Sequence, residues 1–540
     1  MSAWNFADVW EVVAEALPVA TATAHAGLHR SWAETERRAD GLAAWLLSAG
    51  LERGETFAQY LYSGPEYIES LFAAFKIGVA PVNTNYRYGG DELVYLWDNG
   101  DVGAVAFHAT FGPLIDRIRA RVPRVKAWLC VEDGTEACPQ WAVPYEEAVS
   151  HAGGGPTRSP WGRSPDDLFL LYTGGTTGMP KGVMWRQDDV FALINKTAPV
   201  RYPEDGDLDD VRRMLIKPGP SHVPCAPLMH GTGVFTSMAM LNSGGSVVTL
   251  PSRHFSAEEL LDTITEERVR SLAIVGDAFA KPLLAALQAE PDRWDISSVK
   301  VIASSGVMWS KATKDGLLRF NPTMLLVDTL GSSEAISMAS SVSTGDGAVE
   351  RVDTAAFALG PDTRVVTEGG RDVVPGSGQV GMVAFRGRMP LGYYKDKEKT
   401  ERTFRVIDGN RWSIPGDFAT VEADGSLRLL GRGSQCINTG GEKVYPEEVE
   451  EAIKTHPVAY DAVCVGVPDE RFGEAIVALV ELRTGAGLDP AAIVAHVKAR
   501  LAGYKAPKRV FQVDTVGRAA NGKVDYKALR ERAIALVAAG

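Results

Sequence analysis

A loop rich in glycine and threonine lies between two apolar runs, at Tyr172-Thr-Gly-Gly-Thr-Thr-Gly-Met-Pro-Lys-Gly182. The run Leu168–Tyr172 before it predicts a buried strand, and Val183-Met-Trp185 resumes apolar sequence, so we expect a tight connection at a sheet edge. Glycines let the backbone N–H groups approach an anion, threonine hydroxyls add donors, and the Lys181 ammonium supplies a positive charge. Together these residue types predict a polyphosphate site.

The nucleotide-binding P-loop is the nearest alternative, and its spacing does not fit. That motif closes on Gly-Lys-Ser or Gly-Lys-Thr and opens a helix. Here Met179-Pro180 precedes Lys181, and Gly182-Val183 follows it. A different kind of nucleotide enzyme is indicated.

Further polar clusters stand where apolar runs give way to turns. His230 lies in Cys225-Ala-Pro-Leu-Met-His-Gly-Thr-Gly233. The segment Asp328-Thr-Leu-Gly-Ser-Ser-Glu334 offers hydroxyls and a carboxylate, which suit a hard Mg²⁺ ion on a nucleotide. Taken alone, the histidine is more often structural, and the acidic cluster is no better than a helix cap.

Three more residues complete the set of candidates. Asp417 can accept hydrogen bonds from sugar hydroxyls, Arg432 can donate to a phosphate, and Lys523 stands on a turn in Asn521-Gly-Lys523. Each is a weak signal by itself.

Composition narrows the class of protein and its location. The 540 residues carry a net charge of −12, which argues against a general nucleic-acid binder. The cysteines are odd in number and lack CxxC spacing, so neither a disulfide framework nor a zinc site is predicted. The N-terminus is acidic and no apolar run is long enough for a bilayer, so we expect a cytoplasmic protein without an integral membrane segment. Peripheral membrane contact and a homodimer stay open.

The elements that must position these residues follow an α/β pattern. Helix-like and strand-like runs alternate through the first part of the chain, which predicts parallel βα units. Glycine turns between short strands follow residue 350 and predict a β-rich subdomain, and a compact α+β unit of about a hundred residues ends the chain. We predict an N-terminal domain of layered subdomains over residues 1–432 and a small mobile domain over 433–540.

In this order and spacing, the clusters resemble the acyl-adenylate-forming superfamily, which includes acyl-CoA synthetases, adenylation domains of peptide synthetases and firefly-type luciferases. The resemblance runs from about Trp32 to Leu529. The chain departs from the common pattern at Gly174, a serine in the family, at Leu330, where an aromatic residue usually stacks on adenine, and at the hinge, Ser434-Gln435.

The resemblance implies a role for each matched position. It makes Lys523, Glu334 and His230 catalytic, with Thr177 and Glu334 as Mg²⁺ ligands. Residues that would bind ATP or CoA are Thr173, Gly174, Gly175, Thr176, Thr177, Gly178, Lys181, Gly331, Ser332, Ser333, Asp417, Arg432, Gly440, Gly441 and Lys443.

The reaction implied has two halves. A carboxylate attacks the α-phosphate of ATP to form an acyl-AMP, and the thiol of CoA then takes the acyl group after the small domain swings about Ser434. The form of the whole stretch Tyr172–Arg186, with Gly276-Asp-Ala-Phe-Ala280, resembles an actinobacterial acyl-CoA synthetase subgroup that includes ligases for steroid side-chain acids. A medium- or long-chain fatty acid stays open, as do an enzyme that charges a carrier protein, a luciferase-like oxygenase and a non-catalytic nucleotide-binding module.

Overall fold

A computed structural model describes residues 4–151, 156–175, 178–306, 309–345, 356–439, 442–469, 473–519 and 522–539. The chain forms two compact units. The first comprises Met1–Ser337, Val342–Arg351 and Gly387–Phe404, and the second comprises Met338–Ser341, Val352–Arg386 and Arg405–Gly540. The predicted boundary between residues 432 and 433 separates a fixed domain from a moving one, whereas these units are defined by compactness. The boundary therefore stays a prediction.

The α-helices, in chain order, are α1 Phe6–Ala16, α2 Trp32–Ser48, α3 Pro65–Lys76, α4 Gly90–Asn99, α5 Gly112–Ile118, α6 Tyr145–Val149, α7 Gln187–Asn195, α8 Leu208–Met214, α9 Gly231–Asn242, α10 Ala257–Glu267, α11 Asp277–Ala289, α12 Lys311–Phe320, α13 Lys397–Thr403, α14 Pro446–Lys454, α15 Pro490–Lys498 and α16 Tyr526–Ala539.

The strands as far as residue 343 are β1 Thr21–His25, β2 Leu28–Ser31, β3 Thr56–Tyr60, β4 Ala80–Asn83, β5 Val102–His108, β6 Ala127–Val131, β7 Val143–Pro144, β8 Leu168–Gly175, β9 Gly178–Arg186, β10 Ser221–Pro224, β11 Ser246–Thr249, β12 Ser271–Ile274, β13 Val301–Ser305, β14 Leu325–Ser332 and β15 Ala335–Ser343. The later strands are β16 Ala356–Leu359, β17 Thr363–Val366, β18 Gly381–Phe385, β19 Gly392–Tyr393, β20 Phe404–Ile407, β21 Asn410–Ser413, β22 Asp417–Val421, β23 Leu427–Arg432, β24 Ile437–Thr439, β25 Glu442–Val444, β26 Ala459–Asp469, β27 Gly473–Leu482 and β28 Arg509–Val513.

The first unit contains the predicted βα layers. One sheet has the order β2-β1-β11-β10-β12-β13-β14, and its strands from β1 to β14 pair in parallel. A second sheet has the order β19-β9-β8-β4-β3-β5-β6-β7. The carboxyl ends of parallel strands are where ligands usually bind in such sheets, and the predicted α/β class is confirmed.

Local sequence accounts for many element ends. Ser31 caps α2 by accepting a hydrogen bond from the backbone of Glu34, and Pro65 opens α3 in its first turn. Strand β3 at Thr56–Tyr60 and helix α4 at Gly90–Asn99 belong to the predicted alternation of strand-like and helix-like runs.

The second unit is rich in antiparallel strands. Strands β16, β23, β22, β18, β21 and β20 neighbour one another in that order, with β17 paired to β18. The end of the chain forms the sheet β25-β24-β27-β26, with β28 parallel to β27. Apolar residues of α14 and α15 pack on one face of this sheet, and those of α16 on the other. The predicted β-rich and α+β character of these regions is confirmed.

The cysteines hold a feature that the sequence analysis did not predict. Cys130, at the end of β6, forms a disulfide with Cys138, and their Cα atoms are 5.8 Å apart. The spacing of eight residues matches no standard motif, so only the return of the chain toward β6 brings the two side chains together.

Across the described residues, no helix combines the length and the apolar character that crossing a membrane requires.

Candidate active site

The predicted phosphate loop is the turn of a β-hairpin. Strands β8 and β9 pair antiparallel, with Tyr172 opposite Gly182, Thr173 opposite Lys181 and Gly175 opposite Gly178. A Cβ atom at Gly182 would lie 2.7 Å from the ring of Tyr172, so the ring covers a position that only glycine can occupy. The hairpin therefore sets Thr173 and Lys181 side by side on paired strands, where the sequence predicted only a tight connection at a sheet edge. Thr176 and Thr177 lie outside the described residues, and of Gly174, Gly175 and Gly178 only the backbone is described.

Asn83, which the sequence analysis missed, joins this hairpin to the His230 segment. Its amide nitrogen donates to the carbonyl oxygens of Tyr172, at 2.9 Å, and Met229, at 2.7 Å, while its oxygen accepts from the backbone of Tyr172, at 2.6 Å. The side chain is buried at the carboxyl end of β4. A polar residue ending an apolar strand was the available signal.

His230 is half-buried and stands at the N-cap of α9. Its backbone N–H donates to the carbonyl of Pro227 over 2.9 Å. The position puts the imidazole at the positive end of a helix of 12 residues, where a carboxylate is stabilised.

Glu334 is buried directly after β14 and is held by neighbouring elements. The hydroxyl of Tyr393 donates to its Oε1 atom at 2.6 Å, and its own N–H donates to the Ser332 hydroxyl at 3.2 Å. The indole N–H of Trp185, in β9, donates to the carbonyl of Ser333 at 2.9 Å. The Glu334 turn is thus tied directly to the second strand of the phosphate hairpin.

Gly331 and Ser332 end β14, and Leu330 is buried in it. A Cβ atom at Gly331 would approach the backbone nitrogen of Ser337 to 3.1 Å, so a side chain there would press on β15.

Asp328, earlier in the same strand, has a different environment from Glu334. It pairs with the Lys314 ammonium at 3.2 Å, and burial raises the pKa of its carboxyl to about 6, although Lys314 pulls the pKa down.

The segment from Tyr393 to Asp396 links both predicted charged groups. Asp396 accepts from the Lys181 ammonium at 2.9 Å, and Tyr393 contacts Glu334. Between them, the Tyr394 hydroxyl donates to Asp101 at 2.8 Å and the Lys395 ammonium lies 2.7 Å from the same carboxylate.

The second unit carries the remaining candidates. Asp417 begins β22 and is buried, and Arg432, whose backbone alone is described, lies opposite it at the end of β23. Lys443 is in β25, with its side chain outside the described part, while Gly440 and Gly441 lie outside it altogether. Lys523 is exposed, and its carbonyl accepts from the N–H of Ala519 at 2.7 Å.

Comparison with known proteins identifies the family of this chain. The AMP-binding enzyme family matches residues 10–394, and the AMP-binding enzyme C-terminal domain matches residues 448–523. The chain belongs to the AMP-binding enzyme family. It has the ATP-dependent acyl-CoA synthetase activity of an acid–thiol ligase, with ATP and CoA as substrates, so the predicted family and enzyme class are confirmed.

Individual relatives cover nearly the whole enzyme. It is 39% identical to a 3-oxocholest-4-en-26-oate–CoA ligase of Rhodococcus rhodochrous, over 97% of this chain and 95% of the relative. It is 37% identical to a medium/long-chain-fatty-acid–CoA/3-oxocholest-4-en-26-oate–CoA ligase of Mycobacterium tuberculosis strain H37Rv, over 98% and 96%. The solved anthranilate CoA ligase AuaEII, in complex with anthranoyl-AMP, has a TM-score of 0.83 at 21% identity over 99% and 98% of the two chains, which shows the shared fold.

Lys181 and Asp396 stabilise each other's charged forms in this synthetase. The hydrogen bond to Asp396 raises the pKa of the Lys181 ammonium, and the same bond lowers the pKa of the Asp396 carboxyl. Both groups therefore carry full charge at neutral pH.

The donor set fits a Mg²⁺ ion that is bound mainly through phosphates. Among the described residues, no cluster of three or more His, Cys, Asp or Glu side chains could hold a metal by itself. Mg²⁺ usually keeps waters and takes one or two carboxylates plus substrate phosphates, so a single hard carboxylate such as Glu334 matches its chemistry.

We expect Tyr393→Phe to lower the rate of acid-dependent pyrophosphate release by about tenfold. The substitution keeps the ring but removes the 2.6 Å hydrogen bond to Glu334, and bonds to charged groups contribute about 1.5–3 kcal/mol. Tyr202→Phe is the matched control, because it removes a buried hydroxyl that donates at 2.6 Å to the carbonyl of Asn242. Equal rates for both variants in a steady-state assay would contradict a positioning role for Tyr393.

Proposed function

We propose that this synthetase converts a steroid side-chain carboxylic acid, or a medium- to long-chain fatty acid, first to acyl-AMP and then to acyl-CoA. The observation that carries the catalytic part is the pair of contacts from one short segment, in which Tyr393 holds Glu334 and Asp396 holds Lys181. In the proposed reaction Glu334 serves the metal-bound phosphates and Lys181 contacts phosphate directly, so one segment holds both groups.

The first half-reaction is mainly a problem of charge. A carboxylate and the α-phosphate of ATP repel each other, so neutralisation and alignment must supply most of the catalysis. We assign the hairpin N–H groups and Lys181 to the departing pyrophosphate, and His230, at the start of α9, to the carboxylate. Glu334, with Thr177, would hold Mg²⁺, which neutralises phosphate charge when bound.

The nucleoside is assigned to two places. Gly331, Ser332 and Ser333, after the buried Leu330, would contact the adenine through backbone and hydroxyl groups. In the second unit, Asp417 would accept from the ribose hydroxyls and Arg432 would donate to phosphate, and their opposed positions on β22 and β23 support a joint site.

The second half-reaction requires a different arrangement of the same charges. Lys523 would bridge the carboxylate and the α-phosphate during adenylation, but the reacting carbon needs no such charge when the thiol of CoA attacks. We propose that residues 433–540 turn about Ser434 between the two steps, and that Gly440, Gly441 and Lys443 then contact CoA. Such hinge motion is a recognised type of switch.

The substrate class rests on the similarity to the two ligases, which are both named for 3-oxocholest-4-en-26-oate and, in one case, also for medium- and long-chain fatty acids. We propose that the enzyme is cytoplasmic, as the few cysteines without motif spacing predicted, although a disulfide such as Cys130–Cys138 is rare in a reducing compartment. We also propose a homodimer, which light scattering tests. Peripheral membrane contact is proposed as well, and vesicle sedimentation tests it.

A panel of acids tests the substrate class. Pyrophosphate release is measured with a steroid side-chain acid, octanoate, palmitate and benzoate, each with and without CoA. We expect the steroid or fatty acids to exceed benzoate by at least about tenfold in kcat/KM, as differential burial of several methylene groups requires. A preference for benzoate, or thioester formation only on a carrier-protein thiol, would contradict the proposal.

A further inference from the structure

Asp396 uses its two carboxylate oxygens for different purposes. Oδ1 accepts from the backbone N–H of Lys399 at 3.0 Å and so caps α13, whereas Oδ2 accepts from the Lys181 ammonium at 2.9 Å. The Lys181 side chain is 32% exposed and the Asp396 side chain 21%, so both can be reached by a ligand. Only the second contact concerns the phosphate hairpin.

This contact places a negative charge where the enzyme must receive negative charge. Lys181 stands opposite Thr173 on the hairpin and is the cation assigned to the polyphosphate. A carboxylate beside it repels an incoming phosphate, and a phosphate group can replace it because both are oxygen acceptors for an ammonium. The Tyr95 hydroxyl also forms a hydrogen bond with the Lys181 ammonium, and the Lys399 ammonium lies over the ring of Tyr393, 4.3 Å from its centroid.

We infer that Asp396 is an internal counter-ion that holds Lys181 while the site is free of nucleotide and competes with the polyphosphate for it. The inference rests on the proposed function, in which Lys181 contacts the phosphates. Its consequence is for turnover, because Asp396 takes Lys181 back as pyrophosphate leaves and so favours release. Asp396 acts through Lys181 and is a positioning residue.

The substitution Asp396→Asn isolates the charge. Asparagine keeps an oxygen that can cap α13 but loses the negative charge beside Lys181. We expect calorimetry with inorganic pyrophosphate and Mg²⁺ to show binding about three- to fivefold tighter than in the unsubstituted enzyme, the upper range for a partly exposed ion pair. The KM for ATP should fall in Asp396→Asn, and kcat should fall where pyrophosphate release limits turnover. The difference in pyrophosphate affinity between the variant and the unsubstituted enzyme should narrow at high salt, because salt screens the charge of Asp396.

A double-mutant cycle with Lys181→Gln separates exchange from a general charge effect. Without the ammonium, Asp396→Asn should change pyrophosphate affinity by less than about twofold. Weaker or unchanged binding in Asp396→Asn, or equal tightening in both backgrounds, would overturn the inference. Asp396→Ala, which also removes the cap, should lower the melting temperature more than Asp396→Asn does.

The binding measurement needs neither a carboxylic acid nor CoA. A wrong substrate class would leave the affinity changes intact, whereas acid-dependent acyl-CoA formation with no change in pyrophosphate affinity would remove only the role of Asp396. The two proposals therefore fail separately.

Discussion

Replacing Lys523 by alanine is expected to slow acyl-adenylate formation by about a hundredfold or more, while thioester formation from a supplied acyl-adenylate stays within about threefold. Loss of one electrostatic donor at a developing charge costs about 3 kcal/mol of barrier. The second half-reaction has no repulsion between carboxylate and phosphate to overcome, so it should not depend on this ammonium. Single-turnover assays of each half-reaction measure the two effects.

Lys527→Ala is the matched control, because it removes another exposed lysine four residues away, on α16. It should change neither half-reaction by more than about twofold, since exposed charges outside a site contribute little. Equal loss of both half-reactions in Lys523→Ala would contradict the assigned role and point to a general disturbance of the C-terminal sheet.

Lys76→Met is expected to destabilise the first unit by about 3–5 kcal/mol, the usual cost of removing one partner from a buried charge cluster. The Lys76 side chain is fully buried at the end of α3, and its ammonium lies 2.7 Å from Glu11, 2.6 Å from Glu36 and 3.3 Å from Asp40. Methionine fills similar volume but leaves these three carboxylates without their common cation. Urea unfolding followed by tryptophan fluorescence measures the loss, because Trp10 and Trp32 lie on the helices that carry these acids.

The pH dependence gives a second measurement of the same cluster. Burial alone raises the pKa of Glu11, but hydrogen bonds and charge from Arg163 and Lys76 outweigh it and hold the pKa at about 2. The stabilisation from ionised Glu11 is therefore present above its ordinary pKa of 4.5 and is lost as the pH falls toward 2. We expect the difference in the free energy of unfolding between Lys76→Met and the unsubstituted enzyme to narrow as the pH falls from 4.5 toward 2.

Two variants keep this prediction testable. Lys126→Met removes a lysine that is 37% exposed and pairs with Glu55 at 2.9 Å, and it should cost less than about 1 kcal/mol. Glu36→Gln removes one acid from the cluster and should destabilise less than Lys76→Met, which matters if the latter does not fold. Equal losses for Lys76→Met and Lys126→Met would show that burial of the cluster adds nothing.

Much of the fold could be predicted from the sequence because its signals are local. The apolar run Leu168–Tyr172 predicted a buried strand, which the structure extends to Gly175 as β8. Alternating helix-like and strand-like runs predicted the βα layers that contain β3 and α3. The disulfide between Cys130 and Cys138 was not predicted, because it depends on the path of the chain after β6 rather than on a motif.

The site divided in the same way. The types of residue that handle phosphate and carboxylate were visible in the sequence. The predicted connection after the strand at 168–172 is the turn of a hairpin, but Lys181 lies in β9 rather than in the loop. Asn83 and Asp396 were missed, since an asparagine ending a strand and an aspartate before a short helix each have a common structural explanation. Their importance comes from partners 89 and 215 residues away in sequence, Tyr172 and Lys181.

The sequence by itself determined the family, the class of reaction and the candidate chemistry of Lys181, Glu334 and Lys523, because the composition and the order of the motifs are properties of the sequence alone. Only the tertiary structure decided which side chains hold those groups: Tyr393 on Glu334, Asp396 on Lys181, and three acids around Lys76. The physical reason is that hydrogen bonds and ion pairs act over about 3 Å, a distance that is set by packing between elements remote in sequence.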